Sequence, residues 1–262
     1  IVITQKRSTI RRFIDLAEGN FNLSANPIEW FAIHNQPLPR KLWNYSILNN
    51  NRHLSDQSAN NARWVDVTIP PSYNDTQYLL VNLGNPNIYL KILATLHKPI
   101  TRILAFDANF LQHTKKDQLH FILQGDQNIV IHRRDLFVLE RFNEKLRYPL
   151  EALSFLQALG GENIIMINDD EIVFTKKDSG TSMQIVRYPV QQKNRLYEQA
   201  VLAGGMLAGL ISDKNIIESI QMGIISMSIM NQLLPVQLKP DILPELLQAR
   251  LEWLKENTTY KK

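Results

Sequence analysis

An alternation that begins at residue 78 constrains this chain more than any other feature. Residues 78–81, 103–106, 129–131 and 164–167 are short, almost unbroken apolar runs. Runs of that length, apolar on both faces, suit strands covered on both sides. Between them lie stretches of helical spacing. Ile88, Ile92, Leu93 and Leu96 form one, and Leu119–Leu123 leads into the third strand. Residues 134–142 read as a helix with Leu136, Leu139 and Phe142 on one side. Residues 149–159 read as another, stopped by Gly160-Gly161, where glycine tolerates a positive φ. Strands alternating with helices imply right-handed crossovers, hence an α/β fold with a mainly parallel sheet flanked by helices.

The pattern then changes. Residues 172–175 and 184–188 are β-rich and separated by a polar turn around Ser179-Gly180. Helices follow over 197–211 and 216–234, the second with Ile216, Ile220, Gly223, Met227, Met230 and Leu234 in a stripe that any packed helix shows. Pro244 and Glu245 open a last amphipathic helix carrying Leu247, Leu251 and Leu254. Upstream, residues 1–77 read as a small irregular or β-rich region, distinct from the α/β domain of 78–262. Its candidate strands are 9–14 and 30–33, punctuated by Pro27, Pro37 and Pro39. Residues 49–61 are the most polar stretch and read as an exposed, mobile loop, short of the apolar side chains that offset ordering entropy.

Composition excludes several classes. A chain of 262 residues, 44% hydrophobic, can bury a full core without cross-links. It has no cysteine, so disulfides, thiolate nucleophiles and cysteine-held zinc are ruled out. That is compatible with a reducing cytoplasm, and a cytoplasmic protein is expected. The longest uncharged apolar stretch, 200–211, is shorter than the ~20 residues a bilayer requires, so no membrane partner is expected. Ile1 in place of a methionine leaves open a preceding segment. The formal net charge is +4, but the basic pairs Arg11-Arg12, Lys115-Lys116, Arg133-Arg134 and Lys176-Lys177 are scattered. A nucleic-acid surface clusters its charge, so a solvated surface is the preferred reading and a nucleic-acid partner the alternative.

The order over 103–234 is the informative part: a strand ending in Asp107, a strand leading to a polar-x-x-acid, a helix, a strand, a β excursion, a small-residue helix and a long helix. This order resembles the C-terminal half of the ribokinase-like (PfkB) carbohydrate and nucleoside kinases, over roughly residues 78–254. His132-Arg133-Arg134-Asp135 resembles the family's Asn-x-x-Glu motif, which helps organise magnesium and phosphates; Asp135 keeps a carboxylate, and His132 replaces the asparagine. Asp135 also reads simply as an acid favoured at a helix start. Where the family has a Thr-x-Gly nucleotide turn, this chain has Asn168-Asp169-Asp170-Glu171, which reads equally as an exposed acidic β-turn. The helix Ala203-Gly-Gly-Met-Leu-Ala-Gly209 resembles the segment that includes the signature Gly-x-Gly-Asp. In that family the backbone N–H groups of the signature form an anion hole and its Asp takes the acceptor's proton. Setting Ala208-Gly209 on the family's Ala-Gly puts Gly204 at the catalytic Asp, with Val201 and Ala203 at the two glycines. Gly204 and Gly205 are then phosphate-site candidates by resemblance, and tight helix packing is their other reading.

Glycine usage agrees with a depleted phosphate site. Ten glycines is about half the usual ~7%, and phosphate-cradling loops consume glycine. No P-loop, Gly-x-Gly-x-x-Gly or Gly-x-Ser-x-Gly occurs. The six histidines show no ligand pairing, so no metal site is assigned. Asp107-Ala-Asn109, at a strand end, reads either as a ligand site on the carboxyl edge of the sheet or as a loop start. The resemblance implies ATP and Mg2+ as cofactors if the protein is active, and a sugar, nucleoside or nucleotide as ligand. The departures at Gly204, His132 and 168–171 lead to the expectation of a catalytically impaired kinase homologue acting in metabolite binding or as a scaffold with a protein partner. The alternatives are an active divergent ATP-dependent kinase and a basic subunit of a nucleic-acid-associated complex.

Overall fold

In the computed structural model the described residues are 2–4, 77–82, 86–96, 101–125, 127–179, 182–190, 198–232 and 243–261. The expected strands at 9–14 and 30–33 and the polar loop 49–61 lie outside them.

The apolar runs form the centre of an eight-stranded sheet whose spatial order follows the chain. The strands are β1 Val2–Thr4, β2 Tyr78–Val81, β3 Thr101–Phe106, β4 Gln127–His132, β5 Asn163–Ile167, β6 Glu171–Lys176, β7 Ser182–Val186 and β8 Thr258–Lys261. β2 to β5 are mutually parallel, with Ile129 opposite Ile164 and Ile131 opposite Met166. β1 adds antiparallel at one edge, and β6, β7 and β8 add as an antiparallel run at the other. The expected parallel sheet is therefore present at the core, with antiparallel flanks.

Side chains alternate across the pleat, and each face has its own core. Leu104, Phe106, Ile129, Ile131, Ile164 and Met166 point to one side. There they meet α1 Pro86–Thr95, α2 Ala108–His113, α3 Lys116–Leu123 and α4 Pro149–Ala158. Ile103, Ala105, Val130, Ile165 and Ile167 point to the other side, against α5 Glu198–Ile211, α6 Ile216–Gln232 and α7 Leu243–Asn257. α4 ends where Gly160 takes φ +122°, and a Cβ there would lie 2.6 Å from the Leu123 carbonyl oxygen. Glycine is thus required by both backbone and space.

One element differs in kind from the expectation. Residues 133–141 form a 3-10 helix instead of an α-helix. Leu136, Leu139 and Phe142 are spaced by threes, and a helix of three residues per turn stacks them on one edge against the core. β8 is an addition that sequence periodicity did not reveal, because Thr258–Lys261 follows α7 without a break. Among the described residues no helix is long and apolar enough to cross a membrane.

Candidate functional site

Three parallel strands deliver their ends to one edge of the sheet. β3 runs from Phe106 into Asp107, β4 ends at His132, and β5 ends at Ile167 before Asn168. The first turn of α5 reaches the same edge with Glu198 and Gln199. In open α/β sheets ligands bind at the carboxyl ends of the strands, so the chemistry of this edge decides what the fold can do.

Glu198 is the hub. Its side chain has no exposure, and its two oxygens accept from three donors. His132 Nε2 lies 2.8 Å from Oε2, while Arg187 Nη2 at 2.5 Å and Asn231 Nδ2 at 2.8 Å share Oε1. An ionised carboxylate only accepts, so Nε2 of His132 carries the hydrogen. Burial pushes the carboxyl up, but the hydrogen bonds from His132 and Arg187 and the Arg187 charge outweigh it and hold the pKa down at about 2. Arg187 also donates from Nη1 to the Asn168 carbonyl at 2.9 Å, and its backbone N–H to the Asp170 carbonyl at 3.0 Å. One carboxylate therefore ties together the end of β4, the segment after β7, and helices α5 and α6.

Beside it, Gln199 Nε2 bridges the Phe106 carbonyl at 2.5 Å and Asp135 Oδ2 at 2.9 Å. Asp107 caps α2, its Oδ1 accepting from Phe110 N–H at 2.7 Å. Burial raises the Asp107 carboxyl above the ordinary carboxylate range against that hydrogen bond, and the charge of Asp135 pushes the same way. Asn109 lies in the first turn of α2.

A cleft of about 630 Å³ opens at this edge. One side is the segment after β4 and the approach to α4, with Arg133, Arg134, Phe137, Arg147 and Pro149; the other is the turn 168–171. That turn is tight, with Asn168 N–H on the Glu171 carbonyl at 2.9 Å and Asn168 Nδ2 on Glu171 Oε1 at 3.0 Å, and it leaves Asp169 and Asp170 exposed. Two buried atoms on its lining, Arg134 Nε and Asn168 Oδ1, make no hydrogen bond.

Of the sequence candidates, His132, Asp135 and Asp107 meet at the edge. Gly204 and Gly205 do not. They sit six and seven residues beyond Glu198, about 9 Å along the helix axis. A Cβ on Gly205 would lie 2.7 Å from the Gly223 Cα, so that glycine serves the packing of α5 on α6. The carboxylate that stands in the first turn of this helix is Glu198. Sequence reading noted Glu198 only as a poor substitute for the family's base, six residues upstream of Gly204, and did not select Arg187, Asn231 or Gln199. The available signal was an acid opening the helical pattern of 197–211. Its partners come from three distant segments, and no local spacing joins them.

Among the described residues no three His, Asp or Glu side chains form a metal-binding group. His132 donates to Glu198, Asp135 accepts from Gln199, and Asp107 is a helix cap.

No protein-family model matches the sequence, and no curated protein matches it either. Solved structures do. Ribokinase from Thermotoga maritima aligns at 14% identity and TM-score 0.53, over 70% of this chain and 60% of that one. A protein described as a sugar kinase, from Clostridium perfringens, aligns at 18% identity and TM-score 0.52, over 71% of this chain and 56% of that one. The fold is ribokinase-like. A pyrophosphate-dependent kinase of the ribokinase family, solved with a pyrophosphate analogue and myo-inositol, shares it at 10% identity and TM-score 0.50, over 68% of this chain and 64% of that one. The chain spans about three fifths of the length of these ribokinase-like structures.

Proposed function

We propose that this is a ribokinase-like protein without sugar- or nucleoside-kinase turnover, which binds a metabolite at the carboxyl edge or serves as a scaffold. The observation that carries the proposal is the state of Glu198. A general base needs contact with the acceptor hydroxyl and a pKa near the working pH. Glu198 has no solvent exposure, spends its oxygens on His132, Arg187 and Asn231, and is held at a pKa of about 2. A missing general base alone forfeits ~10²–10⁴ in rate.

The competing reading is an active, divergent ATP-dependent kinase with Glu198 as its base, favoured by the carboxylate in the first turn of α5. Access divides the two. The cleft falls in the size range of small-molecule sites, and its arginines suit an anionic metabolite. The exposed acidic turn across from them opposes a nucleic-acid backbone. Absence of cysteine agrees with a cytoplasmic setting.

The test is coupled ADP release with ATP and Mg2+ over a panel of sugars and nucleosides. The expected result is no turnover above background. Turnover of order 1 s⁻¹, ordinary for an enzyme, would overturn the reading. Thermal unfolding with ATP, ADP or sugar phosphates reports binding separately, since a ligand at 100 times its Kd adds about 2.7 kcal/mol.

A further inference from the structure

The two walls of the cleft carry opposite charge. Arg133, Arg134 and Arg147 line one wall, and Asp169, Asp170 and Glu171 line the other. Their formal charges cancel, so the lining as a whole selects neither cations nor anions. It is polarised across a gap of small-molecule size, about 630 Å³. The acidic wall is held in place by Arg187, which donates from Nη1 to the Asn168 carbonyl and from its backbone N–H to the Asp170 carbonyl. The charge of that guanidinium is matched by buried Glu198, not by the turn.

We infer that the cleft takes an aminated sugar phosphate, with its phosphate on the arginine wall and its amine on Asp170. This names the ligand class of the site proposed above and rests on metabolite binding there. A phosphate presents three strong acceptor oxygens, and planar guanidinium forks match them. Three arginines on one wall suit such a group. A plain sugar phosphate or a nucleotide would leave the opposite wall facing more negative charge. An ammonium group turns that repulsion into attraction, and the exposed Asp170 is placed to meet it. Two buried atoms of lining residues make no hydrogen bond, Arg134 Nε and Asn168 Oδ1. One is a donor and the other an acceptor. A small turn of each side chain onto a ligand satisfies both, Arg134 with a phosphate oxygen and Asn168 with a sugar hydroxyl. Phe137, 62% exposed on the arginine wall, offers the C–H face of the ring an apolar contact.

Titration calorimetry of the full chain with glucosamine 6-phosphate, glucose 6-phosphate and glucosamine tests it. The three probes share one ring shape and differ in their charged groups. The buffer is mildly acidic, so that the amine is charged, and free of Mg2+, which can itself bridge a phosphate to carboxylates. Glucosamine 6-phosphate should bind about tenfold tighter than either of the others, the worth of one hydrogen bond to a charged group. Its affinity should fall as salt rises. Asp170→Asn should bring glucosamine 6-phosphate down to the affinity of glucose 6-phosphate without weakening the latter. Arg134→Gln should weaken both phosphates about tenfold. Losing the amine preference while keeping phosphate binding is something a folding defect does not produce, and circular dichroism checks each variant. Equal affinity of the two phosphates, or an amine preference that survives Asp170→Asn, overturns the inference and leaves metabolite binding in place. No binding of any of the three also overturns it, and the absence of kinase turnover is still decided separately by ADP release.

Discussion

Arg187 and Glu198 meet at 2.5 Å in the interior, with side chains only 7% and 0% exposed. Removing one member of a buried ion pair leaves the other uncompensated, which costs more than the pair contributes. Arg187→Leu should therefore lower stability by about 3–5 kcal/mol. It also frees the carbonyl of Asn168, loosening the acidic turn, while the backbone N–H of residue 187 keeps its bond to the Asp170 carbonyl. Arg187→Leu combined with Glu198→Gln should be less damaging than Arg187→Leu alone, because the stranded charge is gone. Urea unfolding midpoints of the two variants and of wild type check both statements.

The same carboxylate predicts a direction of pH dependence. Its pKa falls from the ordinary 4.5 to about 2 on folding. A depressed carboxyl contributes its stability above the unfolded pKa and loses it as pH falls through the folded one. Wild-type stability should thus decline between about pH 4.5 and pH 2. Asp107, raised on folding, acts with the opposite sign and partly offsets the decline. Urea midpoints at steps from pH 5 to pH 2.5 should fall less steeply in Glu198→Gln than in wild type. Parallel slopes would mean that Glu198 is not the group responsible.

Gln199 offers an isosteric test of the neighbouring bridge. Its Nε2 serves two acceptors, the Phe106 carbonyl and Asp135. Gln199→Glu replaces that donor by a third acceptor facing a carboxylate. The expected cost at pH 7 is about 1–3 kcal/mol, that of buried groups left unpaired. The cost should shrink below about pH 5, where protonating the new carboxyl restores a donor.

The parts of the fold that sequence revealed are those in which burial is periodic. β4 and β5 are buried on both faces, so Ile129–Ile131 and Ile164–Ile167 read as strands without ambiguity. The spacing by threes of Leu136, Leu139 and Phe142 was visible, but a single period cannot separate 3-10 from α geometry. Of the residues that meet at this edge, sequence reading named Asp107 and His132, at strand ends, and Asp135, three residues beyond β4. Glu198 was passed over as a poor substitute for a base because its role depends on Arg187, His132 and Asn231, which lie 11, 66 and 33 residues away. No residue type in its own helix announces that a carboxylate there will be fully buried.

The helix pair α5 and α6 separates two glycines that sequence alone treats alike. At Gly223 an added Cβ would lie 2.5 Å from the Leu202 carbonyl oxygen, part of a backbone that cannot yield without moving the helix. Gly223→Ala should cost about 1–3 kcal/mol by overpacking. At Gly204 an added Cβ meets nothing within 4 Å. Alanine there removes the conformational entropy that glycine loses on entering a helix, so Gly204→Ala should stabilise by roughly 0.5–1 kcal/mol. The two effects have opposite sign, and thermal unfolding of both variants reads them directly. Gly204→Asp should likewise fold. Because Gly204 lies about 9 Å along α5 from Glu198, the new carboxylate should be remote from the strand ends and should give no ADP release with any sugar or nucleoside. Activity appearing in Gly204→Asp, and not in wild type, would mean that the acceptor site lies against the second turn of α5 and that Glu198 is only a structural hub.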